Sequence, residues 1–394
     1  MIKNKIKNFC PAPFRQICIN ALGEVSACCI INREGFGKLQ ENLNNTLDNV
    51  YDGDKWQDFY NGHLNEQMPS ICDDLCGRNY PNEYHHQWKR AKDQWVEKTH
   101  DIKLADIAFS NICNLSCTMC NSFFSSEWIK IKSDSQHKIW NFSKKQCIEL
   151  ANKLQNAENI TIKGGEPFLN ERFTFFLEEM LNYNNNDKTH INVLTNGTII
   201  NDRALKLLSQ FKDPKILYSL ESTKNDLYSF IRGCQHDFDH LKQTIEYVSK
   251  KYPNIIRWSN YIVGSLNAAN YLEDMKNLRS AGIQEVNLMI IHGPIEQSVH
   301  VLKKSVIKKL IKDIEKDVLL NPKFYKMMKE MTLADTIKQL VDVSNKSSPQ
   351  FSESKVRDRF DVLCNIRKSQ NLNVNSITDI VPDFYSRCEF NEYT

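Results

Sequence analysis

The sequence lacks any apolar run close to the roughly 20 residues that a membrane-spanning helix needs. Its basic start, MIKNKIKNFCPAP, has no apolar stretch behind it that would make a signal peptide. Internal repeats and long low-complexity segments are also lacking. We therefore expect a cytoplasmic globular protein with no membrane partner, and not a disordered or fibrous chain.

A charge excess of one sign is lacking as well. The 51 Lys and Arg residues against 48 Asp and Glu residues leave a net charge of +3, which gives no electrostatic reason to expect a nucleic acid partner. Of the 394 residues, 41% are hydrophobic and 25% are charged, as in globular proteins. This length predicts two or three domains.

Cysteine, in contrast, is abundant. A reducing compartment does not keep disulfides, and the 13 cysteines cannot all pair, so metal binding or catalysis is the better explanation. Four of them are scattered, at Cys147, Cys234, Cys364 and Cys388. The others cluster in the first third of the chain, at Cys10, Cys18, Cys28, Cys29, Cys72, Cys76, Cys113, Cys117 and Cys120.

From about residue 103, short apolar runs alternate with longer amphipathic stretches, which predicts six βα units of a parallel sheet. The expected strands are Leu104–Phe109, Ile160–Ile162, Ile191–Leu194, Ile216–Leu220, Ile255–Val263 and Glu285–Ile291. The expected helices include Lys144–Gln155, Glu171–Asn182, Arg203–Phe211, Asp239–Lys250 and Tyr271–Ser280. Such units form either most of a barrel or an open doubly wound sheet, with the chemistry in the loops after the strands.

The two ends of the chain differ from this central part. Residues 16–20 and 24–27 flank a turn at Gly23 and predict a hairpin, with a helix near Trp56 and a linking helix over 84–98. After Pro294 the chain is Lys-rich and mostly helical to about Val343. We expect three parts: residues 1–100, 101–294 and 295–394.

The loop after the first expected strand reads SNICNLSCTMCNS and places Cys113, Cys117 and Cys120 at the spacing Cys-x3-Cys-x2-Cys. Three thiolates can hold three irons of a [4Fe-4S] cluster and leave the fourth iron open for a small chelating molecule. A structural zinc ion is the alternative, although a closed zinc site needs four ligands and no obvious fourth Cys or His is nearby.

These residues resemble the signature of the radical SAM superfamily, and three later segments resemble further motifs of that family. They are the GGEP-like turn, the TNG and S-I-D segments, and the Y-x-x-I-R-G segment. The resemblance implies that these segments bind S-adenosylmethionine, the turn at its amino group and the arginine at its carboxylate. A surface ion pair is the alternative for the arginine. The residues concerned are Gly164, Gly165, Glu166, Pro167, Asn196, Ser219 and Arg232.

The N-terminal cysteines resemble the twitch and SPASM auxiliary-cluster domains of radical SAM enzymes. That resemblance implies a second [4Fe-4S] cluster bound by Cys10, Cys28, Cys72 and Cys76, with Cys29 as an alternative to Cys28. A four-cysteine zinc site is the other interpretation. Cys18 is expected to be a packed strand residue.

The resemblance implies an α/β fold: a partial (β/α)6 TIM-type barrel with a small N-terminal α+β Fe-S domain and a helical C-terminal extension. It also implies an oxidoreductase-type enzyme that reductively cleaves S-adenosylmethionine to a 5′-deoxyadenosyl radical and abstracts a hydrogen atom from its substrate. An electron donor such as flavodoxin or ferredoxin is implied. Cys234 is a candidate hydrogen-atom donor, with a buried inert thiol as the alternative. The expected substrate is a peptide that is oxidised or crosslinked. The alternatives are epimerisation or dehydrogenation of a sugar, nucleotide sugar or aminoglycoside-like molecule, and a non-catalytic electron carrier or zinc module.

Overall fold

The computed structural model describes residues 12–28, 31, 36–39, 46–65, 72, 102–325, 330–345, 352–372, 374 and 376–390. Its described strands form one nine-stranded sheet in the order β3-β2-β1-β4-β5-β6-β7-β8-β9. The strands are β1 Gln16–Ile19, β2 Glu24–Ser26, β3 Gly37–Lys38, β4 Leu104–Ala108, β5 Asn159–Lys163, β6 His190–Thr195, β7 Lys215–Leu220, β8 Ile256–Val263 and β9 Glu285–Ile290.

The six strands from β4 to β9 are the six that the apolar runs predict. Each pairs in parallel with the next, for example Ile107 with Ile162 and Tyr218 with Ser259. The strand order does not return to its starting edge among the described residues, so the sheet is an incomplete barrel. The prediction of an α/β fold with a partial TIM-type barrel is confirmed.

The five helices that periodicity predicts between these strands are observed, to within three residues at each end. The helices are α1 Ala12–Arg15, α2 Leu47–Tyr51, α3 Asp54–Leu64, α4 Ser126–Lys132, α5 Lys144–Lys153, α6 Glu171–Leu181, α7 Asp202–Leu208, α8 Asn225–Arg232, α9 Phe238–Lys251, α10 Tyr271–Ser280, α11 Lys304–Leu320, α12 Glu330–Asn345, α13 Glu353–Ser369, α14 Ile377–Ile380 and α15 Phe384–Arg387.

Side-chain caps fix where several of these helices begin. Ser143 accepts a hydrogen bond from the backbone N–H of Gln146, and the Gln146 side chain in turn accepts from the Ser143 N–H. Asn201 caps α7 and Asp237 caps α9 in the same manner, each through one side-chain oxygen. Ser352 caps α13 from within the polar stretch SNKSSPQFSESK. These caps satisfy backbone N–H groups that lack an intrahelical partner.

The N-terminal hairpin belongs to the same sheet as the barrel strands. β1 and β2 are antiparallel, as the turn at Gly23 predicts, but β1 also pairs in parallel with β4. A Cβ atom on Gly23 would lie 2.6 Å from the Trp140 ring, so this turn is covered by residues of the barrel. The helix near Trp56 is observed as α3. The linking helix expected over 84–98 lies outside the described residues.

Two apolar cores hold the described parts together. The larger one lies between the sheet and its helices and includes Ile107, Ile162 and Phe176. The smaller one joins α4 and α8 to the C-terminal helices through Trp128, Phe230 and Phe360. The second core therefore fixes the C-terminal helices beside the loop that follows β4.

Among the described residues, no helix has the length and apolarity to cross a membrane.

Candidate cluster and cofactor site

The three signature cysteines lie in the loop between β4 and α4, at the edge of the sheet where the parallel strands end. Cys117 is buried, and Cys113 and Cys120 are partly buried. The backbone N–H of Cys120 donates to the carbonyl oxygen of Cys117 at 3.0 Å, which folds the second half of the loop into a turn. The Cys113 N–H donates to Ser126 Oγ at 3.1 Å, which ties the first half to the start of α4.

Four consecutive carbonyl oxygens of this loop each accept a hydrogen bond from a side chain elsewhere in the protein. Because buried carbonyl groups need partners, these bonds fix the path of the loop before any ligand binds. The donors to Leu115, Ser116, Cys117 and Thr118 are respectively Ser125 Oγ at 2.6 Å, Arg367 Nη2 at 2.9 Å, Trp128 Nε1 at 2.9 Å and Gln297 Nε2 at 2.9 Å.

Arg232, at the end of α8, lies against the cysteine loop. Its Nη1 is 3.6 Å from Cys117 Sγ, and its Nη2 is 2.8 Å from a carboxylate oxygen of Glu221. Both side chains of this ion pair are buried, at 6% and 4% exposure, so the alternative of a surface ion pair is wrong. Burial raises the pKa of the Cys117 thiol, whereas the neighbouring Arg232 charge opposes that rise. Burial raises the pKa of Cys120 to about 12.

The two glycines of the GGEP-like turn allow the turn to touch the cysteine loop. Gly165 N–H donates to the Ser110 carbonyl oxygen at 2.8 Å, and Glu166 N–H donates to the Ile112 carbonyl oxygen at 2.8 Å. A Cβ atom would lie 2.0 Å from the Ile112 oxygen at Gly165, and 2.5 Å from the Ser110 oxygen at Gly164. Gly164 also has φ +136°, which side-chain-bearing residues rarely adopt.

The carboxylate of Glu166 is buried and turns toward the loop after β6. Its Oε1 accepts from Thr195 Oγ1 at 2.7 Å and from the Phe168 N–H at 3.0 Å, and its Oε2 accepts from the Asn196 N–H at 2.8 Å. Burial raises its pKa to about 7, although these hydrogen bonds oppose the shift. The structure thus gives this carboxylate protein partners on both oxygens.

Asn196 joins the loop after β6 to the cysteine loop. Its Nδ2 donates to Asn114 Oδ1 at 3.0 Å, and its Oδ1 accepts from the Thr198 N–H at 2.9 Å. Pro167 is buried in the turn that Glu166 caps. Ser219 lies on β7 opposite Asn260 of β8. The structure therefore brings the segments after β4, β5 and β6 together at one edge of the sheet.

Cys234 lies two residues beyond α8, and its Sγ is 3.4 Å from the His236 carbonyl oxygen. Burial raises the pKa of its thiol to about 11, and the nearby Cys117 adds to that rise. The Cys234 side chain is thus near the cysteine loop, on the Arg232 side.

The N-terminal cysteines are described only in part. Cys10, Cys29 and Cys76 lie outside the described residues. Cys72 is buried, with its Sγ 3.9 Å from His63 Nε2. Cys28 follows β2, which runs antiparallel to β1, so Cys28 lies toward the edge where the parallel strands begin. This is the edge opposite the loop of Cys113. Cys18 is a buried residue of β1, as expected.

Residues 107–278 match the family model described as the Radical SAM superfamily. The match begins in β4 and ends in α10, and it includes the cysteine loop, the GGEP-like turn and Arg232. The matched part, residues 107–278, is similar to radical SAM domains. No curated protein matches the chain.

Solved structures similar to the chain include radical SAM proteins at low identity. "Native anSMEcpe with bound AdoMet" is 22% identical, with a TM-score of 0.43, over 55% of this chain and 61% of that chain. SuiB of Streptococcus suis "bound to precursor peptide SuiA" is 13% identical, with a TM-score of 0.41, over 56% of this chain and 46% of that one. The chain therefore covers less than two thirds of the length of these proteins.

A radical SAM domain implies a [4Fe-4S] cluster and S-adenosylmethionine, and the donor set of the cysteine loop fits that cluster. Each cysteine ligand of a cluster binds a different iron, so the thiols surround the group and do not meet at one ion. Within the part of the chain that the structure describes, no three His, Cys, Asp or Glu side chains converge as the ligands of a single metal ion do.

Sequence reasoning missed three of the side chains that hold this site: Trp128, Gln297 and Arg367. For Trp128 and Gln297, no pattern in the sequence indicates a contact with the cysteine loop. Arg367 does carry one, because it continues the apolar stripe of α13 that Val356, Phe360 and Leu363 form at helical spacing. A charged residue at a position of the apolar face indicates a buried partner.

Proposed function

We propose that the chain is a radical SAM enzyme, which reductively cleaves S-adenosylmethionine to a 5′-deoxyadenosyl radical that abstracts a hydrogen atom from its substrate. The loop of Cys113, Cys117 and Cys120 carries this proposal, because its thiols are desolvated and its four central carbonyl oxygens are held by side chains. When bound, the cluster supplies the electron for that cleavage.

The surrounding residues have distinct roles in this proposal. Backbone groups of Gly164 and Gly165 contact the cofactor's amino group, while Glu166 positions the turn through its own hydrogen bonds. Asn196 and Ser219 line the same edge of the sheet, where the strands end. Arg232 binds the cofactor's carboxylate, since its Nε is buried with no hydrogen-bond partner among the described residues.

The first test is 5′-deoxyadenosine formation by anaerobically reconstituted, dithionite-reduced protein. We expect formation from the wild type and none from the variant Cys113→Ala, Cys117→Ala, Cys120→Ala. Cys147→Ala is the matched control, because it removes a buried thiol from α5 and leaves the loop intact. If the reduced wild-type cluster shows no change in its electron paramagnetic resonance spectrum when S-adenosylmethionine is added, the electron-carrier alternative is favoured.

We propose a peptide as the substrate, with oxidation or crosslinking as the reaction. The resemblance of the N-terminal cysteines to twitch and SPASM domains supports this proposal. Deuterium transfer from labelled candidates into 5′-deoxyadenosine tests it directly. Transfer from a nucleotide sugar and none from peptides would instead favour the sugar alternative.

A flavodoxin or ferredoxin is the proposed physiological electron donor. The test is whether it can replace dithionite in the assay of 5′-deoxyadenosine formation.

We also propose an auxiliary [4Fe-4S] cluster bound by Cys10, Cys28, Cys72 and Cys76. Cys28 and the loop of Cys113 lie toward opposite ends of the parallel strands, and the five residues of β4 rise about 16 Å. This separation supports electron transfer and argues against direct substrate binding as the role of the auxiliary cluster.

Metal analysis tests this second cluster. The triple variant of the cysteine loop is expected to keep about four irons per chain, and Cys72→Ser in that background is expected to lose them. One zinc ion per chain in place of iron would establish the zinc alternative.

We propose that the chain consists of three parts: an auxiliary part at residues 1–100, a radical SAM part at 101–294 and a C-terminal part at 295–394.

A further inference from the structure

A buried arginine from the C-terminal part of the chain reaches the cysteine loop. Arg367 of α13 has 0% exposure. Its Nη2 donates to the Ser116 carbonyl oxygen at 2.9 Å and its Nη1 to Ser116 Oγ at 3.1 Å. Its Nε donates to the Phe230 carbonyl oxygen at 2.7 Å, and Gln370 Oε1 accepts from Nη1 at 2.7 Å. The guanidinium is therefore held in one position between the loop and α8.

In the part of the chain that the structure describes, the charge of the Arg367 guanidinium is not paired with a carboxylate. Among the described residues, no Asp or Glu forms an ion pair with it, and its four hydrogen-bond acceptors are uncharged. The groups near its charge include the thiols of Cys117, Cys234 and Cys364 and the like charge of Arg359. Burial lowers the pKa of Arg367 to about 10. A buried cation of this kind is unfavourable unless negative charge lies nearby.

The surrounding backbone leaves room for this guanidinium. Gly233 ends α8 at φ +65°, and a Cβ atom there would lie 2.5 Å from Arg367 Nη1 and 2.4 Å from Ser116 Oγ. The Gln370 side chain also donates to Ser116 Oγ at 2.7 Å, so Ser116 is held from two sides by the end of α13. The residue next to Ser116 is the cluster ligand Cys117.

We propose that Arg367 is a positioning residue that holds the cysteine loop and supplies a buried positive charge, in addition to that of Arg232, which balances the thiolate-bound cluster. The inference rests on the proposed function, since it requires a cluster at Cys113, Cys117 and Cys120. Reduction adds one negative charge to the cluster, and a fixed cation in a poorly solvated site stabilises the reduced form more than the oxidised form. Arg367 therefore raises the reduction potential of the cluster.

The test is a redox titration of the reconstituted protein, monitored by the electron paramagnetic resonance signal of the reduced cluster. We expect Arg367→Gln to shift the midpoint potential to a more negative value. The matched control is Lys368→Gln, which removes the same charge from the next residue of α13, where the side chain is exposed. Equal potentials in Arg367→Gln and Lys368→Gln would overturn the proposal.

A second variant covers the case in which Arg367→Gln does not fold. Gln370→Glu keeps the arginine and places a carboxylate on its Nη1, where Gln370 Oε1 now accepts. We expect the potential to fall in this variant as well, and an unchanged potential would overturn the proposal. The signal to be titrated is the one absent from the triple variant of Cys113, Cys117 and Cys120. If the wild type has no such signal, the proposed function itself fails, which is a separate outcome.

Discussion

The carboxylate of Glu166 accepts a hydrogen bond from the backbone N–H of Asn196 at 2.8 Å, so the turn after β5 holds the loop after β6. The same turn is bonded to the cysteine loop through the Gly165 N–H and the Ser110 carbonyl oxygen. Three neighbouring loops are thus joined at one edge of the sheet by bonds within the protein. A cofactor that binds across these loops meets groups already held in place, which lowers the ordering cost of binding.

The first prediction concerns Glu166→Gln. A glutamine amide has one acceptor oxygen, and its NH₂ group would face either the Phe168 N–H and the Thr195 hydroxyl or the Asn196 N–H. One buried donor then loses its acceptor, so we expect the free energy of unfolding of the apoprotein to fall by about 1–3 kcal/mol. Urea unfolding under anaerobic conditions measures this change.

Glu315→Gln is the control for that prediction. Glu315 is an exposed residue in the middle of α11, so the same change of side chain is expected to alter the free energy of unfolding by no more than about 0.5 kcal/mol. Equal losses in the two variants would contradict the structural role given to the Glu166 carboxylate.

The second prediction concerns Gly165→Ala. The added Cβ would lie 2.0 Å from a backbone oxygen of Ile112, so the turn must move away from the cysteine loop. We expect a loss of about 1–3 kcal/mol in the free energy of unfolding and less iron bound after reconstitution. In Gly53→Ala, used for comparison, the nearest atom to the Cβ is at 3.3 Å. Iron content equal to wild type in Gly165→Ala would contradict the predicted contact between turn and loop.

The barrel strands and the cysteine loop were predictable because their determinants are local. Strands such as β6 and β8 are short apolar runs bounded by polar turns, and this pattern needs no knowledge of the tertiary structure. The spacing of Cys113, Cys117 and Cys120 on one loop is also a property of consecutive residues. The ends of the helices were predicted less accurately. The apolar periodicity continues to Gln155 and Phe211, whereas α5 ends at Lys153 and α7 ends at Leu208.

The contacts between distant segments were not predictable from the sequence. The pairing of β1 with β4 depends on which edge of the barrel sheet remains open, and no residue of the hairpin specifies that edge. The Glu221–Arg232 ion pair joins the end of β7 to the end of α8, and the motif resemblance assigned Arg232 to the cofactor alone. The Arg367–Ser116 contact spans most of the chain.

The third prediction concerns Trp128→Phe. The indole N–H of Trp128 donates to the Cys117 carbonyl oxygen at 2.9 Å, and phenylalanine keeps most of the ring packing but has no donor. Trp56→Phe is the matched control, because Trp56 is equally buried and its indole N–H has no hydrogen-bond partner among the described residues. The Cys117 carbonyl oxygen keeps its bond from the Cys120 N–H, so the loss in free energy of unfolding is expected to be larger at Trp128 by about 0.5–1.5 kcal/mol.

The same pair of variants reports on the cluster. We expect iron to be lost to a chelator faster from Trp128→Phe than from wild type, because the loop that carries Cys117 is less restrained. Trp56→Phe is expected to lose its loop-bound iron at the wild-type rate. Identical chelation rates in the two variants would show that the Trp128 hydrogen bond does not restrain the loop.

The fourth prediction is a pH dependence that arises at Asp274 of α10. This carboxylate is buried, and it accepts hydrogen bonds from the Thr223 N–H at 2.7 Å and from the Tyr261 hydroxyl. Burial raises its pKa from 3.8 to about 6, although these hydrogen bonds oppose the shift. Between these pH values the folded protein holds a proton that the unfolded chain has released. The free energy of unfolding therefore falls as the pH rises, by about 3 kcal/mol from this group.

Comparison with Asp274→Asn isolates this contribution from all other titrating groups. The variant has no carboxyl group at this position, so the difference in free energy of unfolding, wild type minus variant, is expected to decrease as the pH rises from about 4 to 7. Urea unfolding at a series of pH values measures the difference. Asp361→Asn, which removes an exposed carboxylate from α13, is measured in parallel for comparison. A difference for Asp274→Asn that grows with pH would mean that the carboxylate is stabilised in its charged form, so that its hydrogen bonds to Thr223 and Tyr261 outweigh its desolvation.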